Sequence, residues 1–349
     1  MKPVRKKYLY YFVLLITLLA LIAFGCTNKT NPGENSPESP PPVEEQEPNP
    51  EQEQEQEPEP ETPAELNPLT GEPSGDNRYL IAIMVNNAPK ARPQTGLINA
   101  DLVYEMEMEG GLTRFLAFYY SELPEDVGSV RSARSYALML AKEWDAYYAH
   151  VGGSTDAYAK IPEWGIKTID DIKGHRGFWV DPKEVRPHNT YLNLKRALIG
   201  KKENGVFHNW VFEKPADEAP DYREIRFSYD QFTKPSYVYS EEDNLYWRFI
   251  NGEPHLDFAT EEQIKTRNLI VQYAKHRSIN DKDLHIEIDL VGEGKAEYFL
   301  GGKYQEGTWR KKDYKSPTEY LDKDGKPIVF IEGRTWVQVV RDNVEVKKQ

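Results

Sequence analysis

The segment from Thr27 to Leu66 decides how much of this chain can fold. It holds 12 Glu and 10 Pro, a single Lys and almost no aliphatic side chains, with "EQEQEQEPEPE" at its centre. So little apolar surface cannot offset the entropy of ordering the segment, and its like charges push it open. The expectation is a self-repelling, semi-extended tether. In polyproline geometry, at about 3.1 Å per residue, it reaches on the order of 120 Å.

What precedes the tether has the layout of a secretory signal: Lys2, Arg5, Lys6 and Lys7, then an apolar run from Tyr8 to Phe24 that ends in Gly25-Cys26. Cys26 is the one cysteine among 349 residues, so an exported chain that could use disulfides has none. A small residue followed by Cys at the end of such a run is where a lipoprotein signal is cut and the thiol receives a diacylglycerol. Two acyl chains, at ~0.8 kcal/mol per buried CH₂, hold a protein on a membrane stably where one would not. An uncleaved membrane anchor with an incidental cysteine is the other reading of the same run. The expected organisation is therefore a signal peptide over 1–25, a tether over 26–66, and two folded parts over 67–212 and 213–349. The formal charge is −13, and the folded remainder is itself acidic, which argues against nucleic acid as a partner.

Within the folded parts the hydrophobic period alternates. "RYLIAIMV" reads as a buried strand, "LVYEMEME" alternates with period two, and "LTRFLAFYY" returns after the turn "EGG". Ala133, Tyr136, Ala137, Leu140, Ala141 and Trp144 recur at helical spacing, "AYYAHV" follows as another buried strand, and a further helix is expected from about Thr190 to Leu198. From Glu213 onward, short runs rich in Tyr, Val, Ile and Phe are separated by turn signals such as Asn251-Gly252 and Asp324-Gly325. The fold class is α/β (α+β): a mixed sheet with helices first, then a largely antiparallel β part, the boundary falling on "EKPADEAPD".

Three features could carry chemistry. In "AHVGGSTDAY" the strand Ala146–Val151 runs into Gly152, Gly153 and Ser154. A nucleophile elbow would need a second glycine after the serine, which is absent. A strand-to-helix turn capped by Ser154 or Thr155 satisfies the pattern, and so does a seat of backbone amides for an anion. In "GSVRSARS", Arg131 and Arg134 stand at a helix start, where the macrodipole disfavours cations. The placement makes sense on a solvated surface, or if a carboxylate or phosphate lies between the two guanidinium groups.

The third feature combines acids and histidines. With Gly110-Gly111 as a two-residue hairpin loop, Glu107 would sit opposite Arg114, and Glu105, Glu107 and Glu109 would share one face. Paired carboxylates serve glycosidic bond cleavage, but acids at every second position also describe a strand with one wet face. His150 ends a strand, His175 lies in a loop, and His188 precedes Asn189 ahead of the expected helix. No H-x-H, H-E-x-x-H or Cys/His spacing occurs, so neither a metal site nor a cofactor is expected.

The segments "RPQTGLINADLVYEMEMEGGLTRFLAFY", "VGSVRSARSY", "HVGGS", "RPHNTY" and "GRTWVQVV" occur in that order. On them the chain resembles the YerB-like lipoprotein family of Gram-positive bacteria, a two-part domain of unknown function, across residues 67 to 345. The resemblance implies an exported lipoprotein layered as sheet, sheet and helix; it implies no activity. The positions matching the family's polar motifs are Arg92, Glu109, Arg114, Arg131, Arg134, His150, Ser154, His188 and Asn189. Ala23 and Phe24 depart from the Leu and small residue that usually precede Gly-Cys.

Two functions follow as expectations. One is a noncatalytic envelope module, anchored through Cys26, that binds an anionic ligand, a cell-wall glycan or an envelope protein in a cleft of Arg92, Arg114, Arg131, Arg134, His150, Gly152, Gly153, Ser154, His188 and Asn189. The other is a cell-wall enzyme using Glu105, Glu107 or Glu109 as acid or base, with Arg131 and Arg134 clamping an anionic group and His150 or His188 in proton transfer.

Overall fold

"IAIMVN" folds as strand β1 (Ile81–Asn86), buried along its whole length, because it is flanked by strands on both sides and covered on both faces. The computed structural model describes residues 65–349 except Asp76, Asn209, Asn280 and Asp283; the signal, Cys26 and the tether up to residue 64 lie outside the described residues. Next come β2 (Leu102–Glu107), β3 (Thr113–Tyr119) and β4 (Asp126–Gly128), then helix α1 (Ser135–Glu143) and β5 (Tyr147–His150). Helix α2 (Thr155–Glu163) leads to β6 (Lys167–Asp170), β7 (Phe178–Val180), β8 (Thr190–Asn193), the short helix α3 (Leu194–Ala197) and β9 (Val211–Glu213).

The second half is strands. They are β10 (Glu224–Arg226), β11 (Pro235–Ser240), β12 (Leu245–Ile250), β13 (Glu253–Pro254), β14 (Lys265–Thr266), β15 (Asn268–Ala274), β16 (His276–Ser278) and β17 (Ile286–Ile288). After them follow β18 (Gly292–Leu300), β19 (Lys303–Lys311), β20 (Glu319–Asp322), β21 (Val329–Ile331), β22 (Thr335–Arg341) and β23 (Lys347–Lys348).

The central sheet has ten strands in the order β20-β19-β18-β15-β22-β2-β3-β1-β5-β6. β1 is parallel to β5 and β5 to β6, while β2 is parallel to β22 and β22 to β15. Because β3 is antiparallel to both β1 and β2, all six of these strands point the same way. One face of the sheet packs on α1 and α2 through Tyr104, Met106, Phe118, Tyr148, Tyr136, Leu140 and Trp144. The other face packs on a second, antiparallel sheet, β13-β12-β11-β10-β23 with β14 on β12, through Phe115, Trp336, Ile225, Tyr237 and Tyr246. The layers are sheet, sheet and helix, and the central sheet takes strands from both halves of the chain.

Three local expectations are corrected. The hairpin after β2 does not close over two residues: the Met108 amide donates to the Leu112 carbonyl at 2.6 Å, making a longer loop in which Gly110 and Gly111 both adopt left-handed backbone. The register therefore shifts by one, with Glu107 opposite Thr113 and Met106 opposite Arg114. The expected helix over 190–198 begins as strand, since Thr190 and Tyr191 pair with β7 and β4. Only Leu194–Ala197 is helical, and its cap is Asn193, which accepts from the Arg196 amide at 3.1 Å.

The alternating glutamates do not mark a wet face. Glu105 and Glu107 are both buried and point toward the second sheet, whereas Glu109, beyond the strand end, turns toward the helix layer.

Candidate functional site: an arginine cluster at the carboxyl edge of the sheet

A strand that ends at the edge of a layered sheet releases its last polar side chains where neither layer covers them fully, and in α/β sheets ligands bind outside the carboxyl ends of the strands. Here Asn86, Glu107, His150, Asp170 and Arg341 all stand at carboxyl ends of the parallel strands. The segment 131–134 is laid across this edge. The Arg131 amide donates to Met84, the Val151 amide to Arg131, the Ala133 amide to Gly152 and the Ser154 amide to Ala133, at 2.7, 3.0, 2.9 and 3.2 Å. Gly153 permits the approach: a Cβ there would lie 3.2 Å from Ala133 Cβ.

That crossing places Arg134 beside Arg114 and Glu109. Arg134 Nε donates to Glu109 Oε2 at 3.1 Å while Nη2 pairs with Oε1, and Arg114 Nη2 pairs with the same oxygen at 2.5 Å. Arg114 Nη1 and Arg134 Nη1 are held by the carbonyls of Ser132 and Ala133, each at 2.7 Å. Burial of Glu109 works to raise its pKa, but the guanidinium groups of Arg114 and Arg134 outweigh it and hold the carboxyl at about 2. The carboxylate between guanidinium groups is thus part of the chain, and the pair that grips it is Arg114 and Arg134.

Arg131 is the third guanidinium. Its Nη1 donates to the Pro187 carbonyl at 3.3 Å, it makes no ion pair among the described residues, and its buried Nε has no hydrogen-bond partner. Burial first, then the charge of Arg114, lower its pKa to about 10, so it remains protonated at neutral pH. His188 lies alongside, Nδ1 2.8 Å from Asn86 Nδ2, its pKa lowered by burial and then by Arg131. With Asn86 Nδ2 as the donor, Nδ1 accepts. Asn189 is buried, donates to the Glu184 carbonyl at 3.3 Å, and keeps an unpartnered Oδ1.

Beneath the crossing segment, His150 and Tyr148 share one face of β5, their rings 5.3 Å apart. His150 Nδ1 is 2.7 Å from the Gly152 carbonyl, which makes Nδ1 the protonated nitrogen; its Nε2 and the Tyr148 hydroxyl have no partner among the described residues. Burial lowers the His150 pKa, so the ring is neutral.

The backbone amides of Gly152 and Ser154 are engaged within the chain. Gly152 donates to Asp170 Oδ1 at 3.4 Å, Ser154 donates to Ala133, and the Ser154 hydroxyl accepts from the Ala157 amide at 3.2 Å as the cap of α2. Asp170, which also accepts from Tyr158 at 2.9 Å and Ile172 at 3.1 Å, supplies the negative charge expected of a ligand.

Arg92 and Glu107 belong elsewhere. Arg92 donates to Asn87, Phe232 and Thr233 at 2.9, 3.3 and 3.2 Å, and Glu107 is bound twice, at 2.7 Å, by Arg341.

Models of the family described as protein of unknown function (DUF3048), N-terminal domain, and its C-terminal counterpart match residues 69–206 and 224–337. The chain belongs to the DUF3048 family. It is 33% identical over 290 residues to "Putative lipoprotein YerB" of Bacillus subtilis (strain 168), spanning 79% of this chain and 86% of that one. It is also similar to the crystal structure of YerB protein from Bacillus subtilis, at 31% identity and a TM-score of 0.73, covering 81% of this chain and 99% of that one.

In this DUF3048 chain, sequence reasoning missed a second polar centre. Arg248 is fully buried: Nη2 donates to Glu105 at 2.7 Å, Nη1 to the Tyr237 hydroxyl at 2.7 Å and Nε to His255 Nδ1 at 3.0 Å. Since Nδ1 accepts, His255 Nε2 carries the proton and donates to Gln94 Oε1, 2.7 Å away. Gln94 donates to Asn87, and Asn87 donates back to Glu105 at 2.9 Å, closing a ring of satisfied groups. The guanidinium also lies 4.6 Å from the centre of the Trp336 ring. The signal was present in "LYWRFI", where period two puts Arg248 on the same inward side as Tyr246 and Ile250.

Proposed function

We propose that this protein is a lipid-anchored, extracytoplasmic binding module of the cell envelope, and that the cluster of Arg114, Arg131 and Arg134 takes an anionic group of its ligand or partner. The observation that carries this reading is the charge imbalance: three guanidinium groups stand together, and among the described residues Glu109 alone is paired to them. Buried polar atoms without partners, on Arg131, Tyr148 and His150, lie in the same region, where each unmet group costs about 1–3 kcal/mol unless something satisfies it. The similarity to a protein named as a lipoprotein supports the anchor on Cys26.

Acid–base catalysis finds less support. Glu105, Glu107 and Glu109 are each bound to arginine, and a carboxyl held at about 2 neither carries a proton at neutral pH nor removes one readily.

The test uses the full chain in membranes. C26A should appear in the soluble fraction while keeping a rise in melting temperature on addition of citrate or inorganic phosphate at constant ionic strength. R131E should stay on the membrane and lose that rise. If wild type shows no anion-dependent rise beyond that of chloride, the binding proposal fails; if C26A remains on the membrane, the anchor proposal fails.

A further inference from the structure

A cavity of about 960 Å³ lies in the second layer and shares no lining residue with the arginine cluster. It is lined by the end of β10, the turn that follows, the start of β11, and the chain running from β22 to β23, which pairs with β10 at Ile225 and Arg226. Its volume is at the upper end of the roughly 300–1,000 Å³ typical of small-molecule clefts, far more than one small anion fills.

Its lining carries both signs of charge. Arg226, Lys234, Arg341 and Lys347 line it together with Glu224 and Glu345, and Arg226 pairs with Glu224 at 3.7 Å. Arg341 is fixed in the wall by its two bonds to Glu107. The ammonium groups of Lys234 and Lys347 and the carboxylate of Glu345 make no ion pair among the described residues. A cation excess on a chain of net charge −13 favours an anionic ligand.

The acids narrow the choice. An ionised glutamate only accepts hydrogen bonds, so Glu224 and Glu345 suit a ligand rich in hydroxyl donors and disfavour one that carries charge with few hydroxyls. The side-chain amides of Gln231 and Asn343 can both donate and accept, as ring hydroxyls do. Tyr229 commits its hydroxyl to the Glu105 carbonyl at 3.0 Å and leaves its ring to line the wall. We propose that this cavity binds a short saccharide chain that bears carboxylates, the carboxylates meeting Lys234 and Lys347 and the hydroxyls meeting the glutamates and amides.

The probe is tetragalacturonate, titrated calorimetrically into the full chain in detergent, beside its methyl ester and a glycerol phosphate polymer. Saturable binding of tetragalacturonate is expected, tenfold or more tighter than the ester, and reduced at least tenfold by K234E together with K347E. Both lysines are exposed, so the variant should melt as wild type does. R131E should bind normally, which separates this cavity from the arginine cluster. Equal affinity of the double variant and wild type, no saturable binding of tetragalacturonate, or binding of the glycerol phosphate polymer alone would each overturn the assignment.

Discussion

At the scale of single residues, Glu109 ties the arginine cluster to pH. Its carboxyl is held at about 2 in the folded protein against an ordinary 4.5, so the folded state binds this proton less readily than the unfolded chain. The stabilisation is therefore complete above about pH 4.5 and drains away as the pH falls toward 2. The shift corresponds to on the order of 3 kcal/mol, at about 1.4 kcal/mol per unit. E109Q removes the charge and leaves Arg114 and Arg134 facing each other. Urea denaturation should show E109Q less stable than wild type by about 2–3 kcal/mol at pH 6, the gap narrowing steadily between pH 4.5 and 2.5. A gap that stays constant across that range would mean that the two arginines do not set the titration.

At the scale of elements, Arg248 joins strand β12 of the second sheet to Glu105 on β2 of the central one. Removing one partner of a buried pair leaves the other charge uncompensated, at a cost of about 3–5 kcal/mol, whereas replacing both with apolar groups is often close to neutral. R248M should lower the free energy of unfolding by that amount. The E105L/R248M double variant should regain half or more of the loss, although Asn87 and Thr113, which bond Glu105 at 2.9 and 2.7 Å, then lose an acceptor. Additive losses in the double-mutant cycle would show that the pair is not coupled.

The same elements show what periodicity conveys. β1 and β5 are legible as short unbroken apolar runs, and α1 from apolar residues at helical spacing. The β2–β3 register was not, because two adjacent glycines admit loops of different length and one residue of difference exchanges every partner. Tyr191 falls in a segment whose pattern suggests a helix, because pattern alone does not reveal that β4 and β7 lie on either side. Arg131 and Arg134 were recognisable as unusual at a helix start, yet nothing near them in the sequence shows that Arg114 and Glu109 complete the cluster through a crossing made possible by Gly153.

At the scale of the whole molecule, the family is described by two models, but the core they describe is shared. β22, from the C-terminal half, sits between β15 and β2, and Trp336 on it packs edge-on to Phe115 of β3 at 5.4 Å between ring centres. A chain ending at residue 212 would expose the whole length of β2 as an unpaired edge, uncover the Phe115 face of the central sheet and leave Glu105 buried without Arg248. A chain beginning at 213 would keep β15, β18 and β19 paired but lose the strand on the other side of β22 and the helices α1 and α2. Neither piece retains enough of either buried face to offset its chain entropy. Residues 67–212 and 213–349 produced separately should therefore give poorly dispersed amide spectra and no cooperative thermal transition. Produced together they should associate and recover the melting curve of the intact folded region, and a sharp, independent transition from residues 67–212 alone would instead make that half a domain in its own right.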